Sequence, residues 1–284
     1  MRVSKIRRLI MLFLPVTLVQ TASSQKREHY KDLCSCEEVT YRSLIAWQDI
    51  IGSETFKEPF TSIVHLGMKW VNDEREHYGT ASFIARNCLI TARHCVFDSI
   101  NVEYIDVRVP GLTADKWVRF NKGSFIIHYY KTTSPDIADD IAIIQLLNKN
   151  ENEKVYKSQF QIADFNTKNN DTLIVNASGF PCLRFCFSGN CMDTLINRTA
   201  HAYEAEINAA RNCARVPVSS CRGDSGGPVW YKLNGQYFLM GIMQGGSFVM
   251  ASLKNLPDNT MVILIDADKV KWIQSVINNK HIKK

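Results

Sequence analysis

The apolar residues of this chain come in short runs with turn residues between them. Residues 62–67, 81–85, 88–91, 105–109, 141–147, 173–175, 229–231, 238–243 and 261–265 are each dominated by apolar residues or alternate them with polar ones. Runs this short, rich in β-branched and aromatic residues, read as strands. Their regular spacing predicts an all-β sandwich or barrel. Only near the end does the period change: Val270, Ile273, Val276 and Ile277 recur at helical spacing and predict a short terminal helix that buries one face. A length of 284 residues allows one or two domains. There is no internal repeat and no low-complexity tract.

Chemistry is concentrated in three places. The first is Cys221-Arg222-Gly223-Asp224-Ser225-Gly226-Gly227-Pro228. Glycines flank a serine there, so the backbone can turn sharply and approach another molecule closely. The second is Thr91-Ala92-Arg93-His94-Cys95, and the third is Asp140-Ile141-Ala142-Ile143-Ile144. A serine hydroxyl is a weak nucleophile and needs a neighbouring base. Histidine suits that task because it titrates near neutrality, and a carboxylate can orient it. Asp136 and Asp139 compete with Asp140 for the third position, but only Asp140 directly precedes the Ile-Ala-Ile-Ile run. Asp139 would point to the opposite side of a strand.

Residues 223–227 also match the G-x-S-x-G turn of α/β-hydrolases, which need their acid and histidine after the serine. The sole histidine after Ser225 is His281, in a lysine-rich tail, so the order His94, Asp140, Ser225 argues against that fold.

In these three motifs, and over roughly residues 50–278, the chain resembles the trypsin/chymotrypsin-like serine proteases. The resemblance implies two six-stranded antiparallel β-barrels with a cleft between them and a short C-terminal helix. The peptidase domain would run from 50 to 284, with the first barrel at about 50–155 and the second at about 156–284. It implies that Ser225 attacks the scissile carbonyl, that His94 takes and returns the proton, and that Asp140 orients His94. The backbone N–H groups of Gly223 and Ser225 would form the oxyanion hole. No cofactor and no metal is implied. The partners would be polypeptide substrates and protein inhibitors.

The same resemblance bears on specificity and activation. Ser219, six residues before the nucleophile, would lie at the base of the pocket for the residue preceding the cleaved bond, with Gly245 and Gly246 in its wall. An uncharged base predicts cleavage after apolar residues. Residues 79–84, Gly-Thr-Ala-Ser-Phe-Ile, look more like the glutamyl endopeptidase branch, which makes glutamate specificity the alternative. That branch has a histidine where this chain has Met243. The mature start would be Ile50, whose new amino group pairs with Asp224, although Asp49 rather than Lys or Arg precedes it. A cysteine expected 16 residues before Cys95 is instead Gly79, so the usual bridge around the histidine cannot form. A catalytically silent, protease-like binding or regulatory protein is the non-enzymatic alternative.

The remaining features concern destination. Arg2, Lys5, Arg7 and Arg8 precede an apolar run of about 11 residues and then Ala22, Ser23 and Ser24, which reads as a secretory signal over 1–24. The run is too short to span a bilayer, where about 20 residues are needed. Residues 25–49 would be a propeptide or N-terminal extension. These four basic residues account for most of the net charge of +6, and without them it is +2, too little for a nucleic-acid surface. Nine cysteines suit an extracellular, oxidising compartment in which most pair, and the odd number leaves one over. Cys182, Cys186 and Cys191 could be taken for a zinc cluster, but no histidine sits beside them at ligand spacing. Sequons at Asn170, Asn176 and Asn197 predict glycosylation in a eukaryotic secretory pathway. The expectation is a secreted protein with no membrane contact once the signal is removed.

Overall fold

Among the residues that the computed structural model describes, sixteen strands form two sheets. The structure describes residues 47–50, 52–71, 73, 76–97, 99–108, 117–131, 137–164, 174–181, 195–201, 206–208, 213–216, 220, 223–245 and 260–279. For 47–49, 52, 99, 137, 195–201, 206–208, 213–216 and 245 it describes the backbone alone.

The first sheet holds β2 (Ile63–Trp70), β3 (Glu76–Ala85), β4 (Cys88–Thr91), β5 (Val102–Arg108), β6 (Val118–Asn121), β7 (Phe125–Tyr129) and β8 (Ala142–Leu146). Their order across the sheet is β6-β5-β2-β3-β4-β8-β7, and all pairs are antiparallel. All five residues of β8 are buried, which is why its sequence, apolar at every position but Gln145, does not alternate. Truncating Ile144 to alanine would therefore cost about 2–5 kcal/mol.

The second sheet joins β1 (Trp47–Ile50) to β9 (Gln161–Ile162), β10 (Ile174–Gly179), β11 (Leu195–His201), β12 (Glu206–Asn208), β13 (Cys213–Val216), β14 (Pro228–Leu233), β15 (Gln236–Gly245) and β16 (Thr260–Leu264). The main path is β1-β11-β10-β14-β15-β16-β13-β12, curled into a half-barrel, with β9 added in parallel beside β15. The two antiparallel β units expected from the sequence are present. Among the described residues they have seven and nine strands rather than six, and the two-residue β9 and the four-residue β1 account for two of the nine. Asn234 and Gly235 both have positive φ (50° and 81°) and close the β14–β15 hairpin, as a primed two-residue turn requires.

The chain passes from one sheet to the other through α1 (Lys149–Val155), capped by Asn148, whose side chain accepts from the Asn150 and Glu151 amides. At the end, α2 (Ala267–Asn278) is capped by Asp266, whose side chain accepts from the Lys269 amide at 2.9 Å. Ile273 and Val276 are buried, and Trp272 meets Tyr130 edge-to-face at 5.3 Å. Tyr130 lies just beyond β7, and its amide donates to Ile141 O, so α2 braces the stretch that carries Asp140. One apolar cluster runs through both sheets, from Ile63, Leu66 and Ile90 to Phe160, Phe180, Trp230 and Ile263.

Candidate active site

Strand register brings the histidine and aspartate motifs together. Thr91 ends β4 opposite Ala142, the first residue of β8. The residues just outside each strand, 92–94 and 139–141, therefore meet at one end of the β4–β8 pair. His94 sits in the 3-10 turn Arg93–Val96. Asp140 holds it at two points: Oδ1 accepts from the His94 backbone amide at 2.8 Å, and Oδ2 lies 2.6 Å from Nδ1. The Arg93 amide donates to the Asp140 carbonyl at 3.2 Å. Asp139 turns elsewhere, to a 3.4 Å ion pair with Lys131. It does so from the 3-10 turn Ile137–Asp139, not from a strand position as its sequence suggests. Asp136 lies outside the described residues.

Burial alone would lower the His94 pKa, but the hydrogen bond to Asp140, aided by the Cys95 thiol, outweighs it. The imidazole is raised from its ordinary 6.5 to about 10. With Nδ1 committed to Asp140, Nε2 faces the Cys95 sulfur at 3.7 Å. The same sulfur lies 3.6 Å from the Ser225 carbonyl oxygen. One atom therefore touches both the histidine ring and the serine residue.

The serine loop is held by its backbone. Gly226 N donates to Met243 O at 2.7 Å, and Met243 N to Gly227 O at 2.8 Å, which zips the loop to β15. Gly226 has φ +82°, and a Cβ there would run into Thr91 Oγ1, Thr80 O and Ala92 N. Only glycine fits so close to the histidine strand. Gly223 also has positive φ, at 90°. Gly227 N donates to Asp224 O at 2.8 Å. In a trans peptide the N–H points away from the carbonyl, so Ser225 N–H faces away from Gly227. The Ser225 hydroxyl donates to Gln244 O at 3.2 Å. Asp224 is fully buried against Gly179, where a Cβ would collide with its carboxylate.

Cys88 and Cys95 carry free thiols, and both are buried. Burial pushes the Cys88 thiol up to about 12. A Cβ built on Gly79 would lie 3.1 Å from the Cys95 sulfur, so Gly79 does face Cys95, without a sulfur of its own. Ile50 is buried in β1, opposite Leu195 and peptide-bonded to Asp49. Gly245 ends β15 opposite Met261. Asn176 and Asn197 stand in β10 and β11. Ser219, Gly246, Asn170, Cys34, Cys36, Cys182, Cys186, Cys191, Cys221 and the whole of 1–24 lie outside the described residues. Among the described residues, no helix is long and apolar enough to cross a membrane.

Sequence reasoning missed Thr80 and Gln244. Thr80 contacts the serine loop through both its backbone and its hydroxyl, and Gln244 receives the serine hydroxyl. Thr80 lies in the 79–84 stretch, read above only for specificity, and Gln244 stands next to Gly245; the partners of both are distant in sequence.

Over 191 residues the chain is 27% identical to human transmembrane protease serine 11B, covering 63% of this chain and 45% of that protein. It thus spans under half the length of that curated relative. A solved structure of a Glu endopeptidase in complex with MPD matches with a TM-score of 0.59 over 82% of this chain and 96% of that one. At 17% identity, that likeness is one of fold. The family described as Trypsin matches residues 54–259, a stretch that contains His94, Asp140 and Ser225, and the chain belongs to that family.

Proposed function

We propose that the chain is a serine endopeptidase in which Ser225 is the nucleophile, His94 the general base and acid, and Asp140 the group that orients His94. The observation that carries this reading is the two-point hold of Asp140 on His94. It commits Nδ1 and leaves Nε2 as the nitrogen able to exchange a proton with the serine loop. In this reading the Ser225 hydroxyl turns from Gln244 O toward His94 to pass on its proton, a side-chain rotation on the picosecond to nanosecond scale.

The steps balance without a cofactor. Ser225 Oγ attacks the scissile carbonyl while its proton passes to His94 Nε2. Oxyanion charge is met by the N–H groups of Gly223 and Ser225. The proton then goes from His94 to the departing amine, which leaves an ester on Ser225. Water, deprotonated by His94, releases the acid and restores the hydroxyl. Ser219 in the pocket, with Gly245 and Gly246 in its wall, gives a preference for apolar residues, because a cation there would lose hydration without a partner. The protein is exported by the 1–24 signal and matured at Ile50. A fluorophosphonate probe tests the reading: it labels the wild type and spares Ser225→Ala. Equal labelling of both would remove Ser225 from its role.

A further inference from the structure

The serine loop is rich in glycine, and glycine restrains its own backbone least. Gly223, Gly226 and Gly227 flank the two N–H groups assigned above to the oxyanion, so their directions must be fixed by contacts from outside the loop. One residue supplies two such contacts and is itself anchored by two more. Thr80 is fully buried in β3. Its amide donates to Ser225 O at 2.9 Å. Its hydroxyl donates to Gly223 O at 2.7 Å and accepts from Phe180 N at 3.0 Å. Its own carbonyl accepts from Thr91 Oγ1 at 2.8 Å, three residues before His94. Thr80 therefore joins the histidine strand, the end of β10 and both ends of the segment 223–225.

We propose that Thr80 is a positioning residue that sets the oxyanion-binding backbone of the serine loop relative to His94, acting mainly through its hydroxyl on Gly223. This rests on the serine endopeptidase reading. Gly223 O belongs to the peptide that follows the Gly223 N–H, so fixing that carbonyl limits the rotation of a residue already at φ +90°. The donor and acceptor roles of the hydroxyl are both filled, so its orientation is set as well. Thr80→Val keeps the shape and deletes the hydroxyl. Thr80→Ser keeps the hydroxyl and deletes the methyl.

The test uses the full chain in its active form and follows the rate and saturation of fluorophosphonate labelling. Covalent attachment at Ser225 builds up negative oxygen charge at the same N–H groups, so no substrate need be known. Thr80→Val should lower the maximal labelling rate per folded molecule about tenfold to a hundredfold, the cost of a small misplacement of reacting groups. The saturation constant should change much less, and Thr80→Ser should recover most of the loss. A purely structural role would lower the melting temperature but leave the rate per folded molecule unchanged, and that result overturns the proposal. So does an equal loss in Thr80→Ser. If Thr80→Val does not fold, Thr80→Cys replaces it. Its weaker donor should slow labelling relative to Thr80→Ser, and equal rates would refute the role of the hydroxyl. If the wild type itself does not label, the endopeptidase reading fails. The restraint is then read by amide exchange at 223–227, which should quicken in Thr80→Val and Thr80→Cys relative to wild type; unchanged exchange overturns it.

Discussion

Asp140 grips His94 by the backbone amide and by the ring together, at 2.8 and 2.6 Å. The two contacts do different things. The first fixes where the residue sits, and the second fixes which ring nitrogen is committed and raises the affinity of the ring for a proton.

Asp140→Asn should therefore reduce kcat by about 10⁴, the size of the loss in other members of this family. The acid limb of kcat/KM reports the neutral imidazole, so in the wild type it should lie above 6.5. In the variant it should move down, because the carboxylate no longer stabilises the imidazolium. The sign for stability follows from the same shift. His94 has a folded pKa above its unfolded one, so the pair stabilises fully below about pH 6.5 and loses this contribution as the pH rises through about 10. Melting temperatures of wild type and variant should diverge at pH 6 and converge above pH 10.

Two glycines with similar φ separate strain from collision. Gly226→Ala should destabilise by about 3 kcal/mol or more, because a positive-φ penalty is joined by contact with Thr91, Thr80 and Ala92. Gly235 has nothing within 4 Å of its Cβ position, so Gly235→Ala should cost about 1–2 kcal/mol. Urea titrations of the two variants measure the difference, and equal costs would contradict the packing around Gly226.

How far the sequence discloses this arrangement depends on the range of the contact. The mostly apolar β8 and the amphipathic α2 carry their patterns openly, and their structural bounds overlap the expected 141–147 and 270–277. By contrast, α1 reads Lys-Asn-Glu-Asn-Glu-Lys-Val and buries only Asn152 and Val155, so it shows no apolar period. His94 and Asp140 stand beside recognisable runs. Thr80 meets Gly223 across 143 residues, and no local pattern announces such a contact. Gly79 was legible as a missing cysteine, and the structure adds the reason that site matters: it faces the Cys95 sulfur and the Ser225 carbonyl.

Cys88 should resist alkylation in the native state. Burial removes it from reagent and pushes its thiol up to about 12, so little thiolate exists at pH 8. Mass spectrometry after iodoacetamide treatment should find it unmodified when folded and modified in urea. Rapid native labelling would mean that β4 opens readily.

The proposed maturation at Ile50 would require more than a cut. The intact chain holds Asp49 and Ile50 in β1, opposite Ile196 and Leu195. Under that proposal a freed Ile50 amine would have to leave this register to reach Asp224, which is fully buried. N-terminal sequencing of the active form should read Ile-Ile-Gly-Ser, and activity should fall at high pH as the amine loses its proton. An active form that still begins near Gln25 would contradict this.

The central claim is that Ser225 is the nucleophile, and the most direct measurement is the activity of purified Ser225→Ala against a peptide library, beside the wild type. The account predicts a folded variant with kcat lower by about 10⁶, as for loss of a serine nucleophile elsewhere. Cleavage at more than about a tenth of the wild-type rate would contradict it.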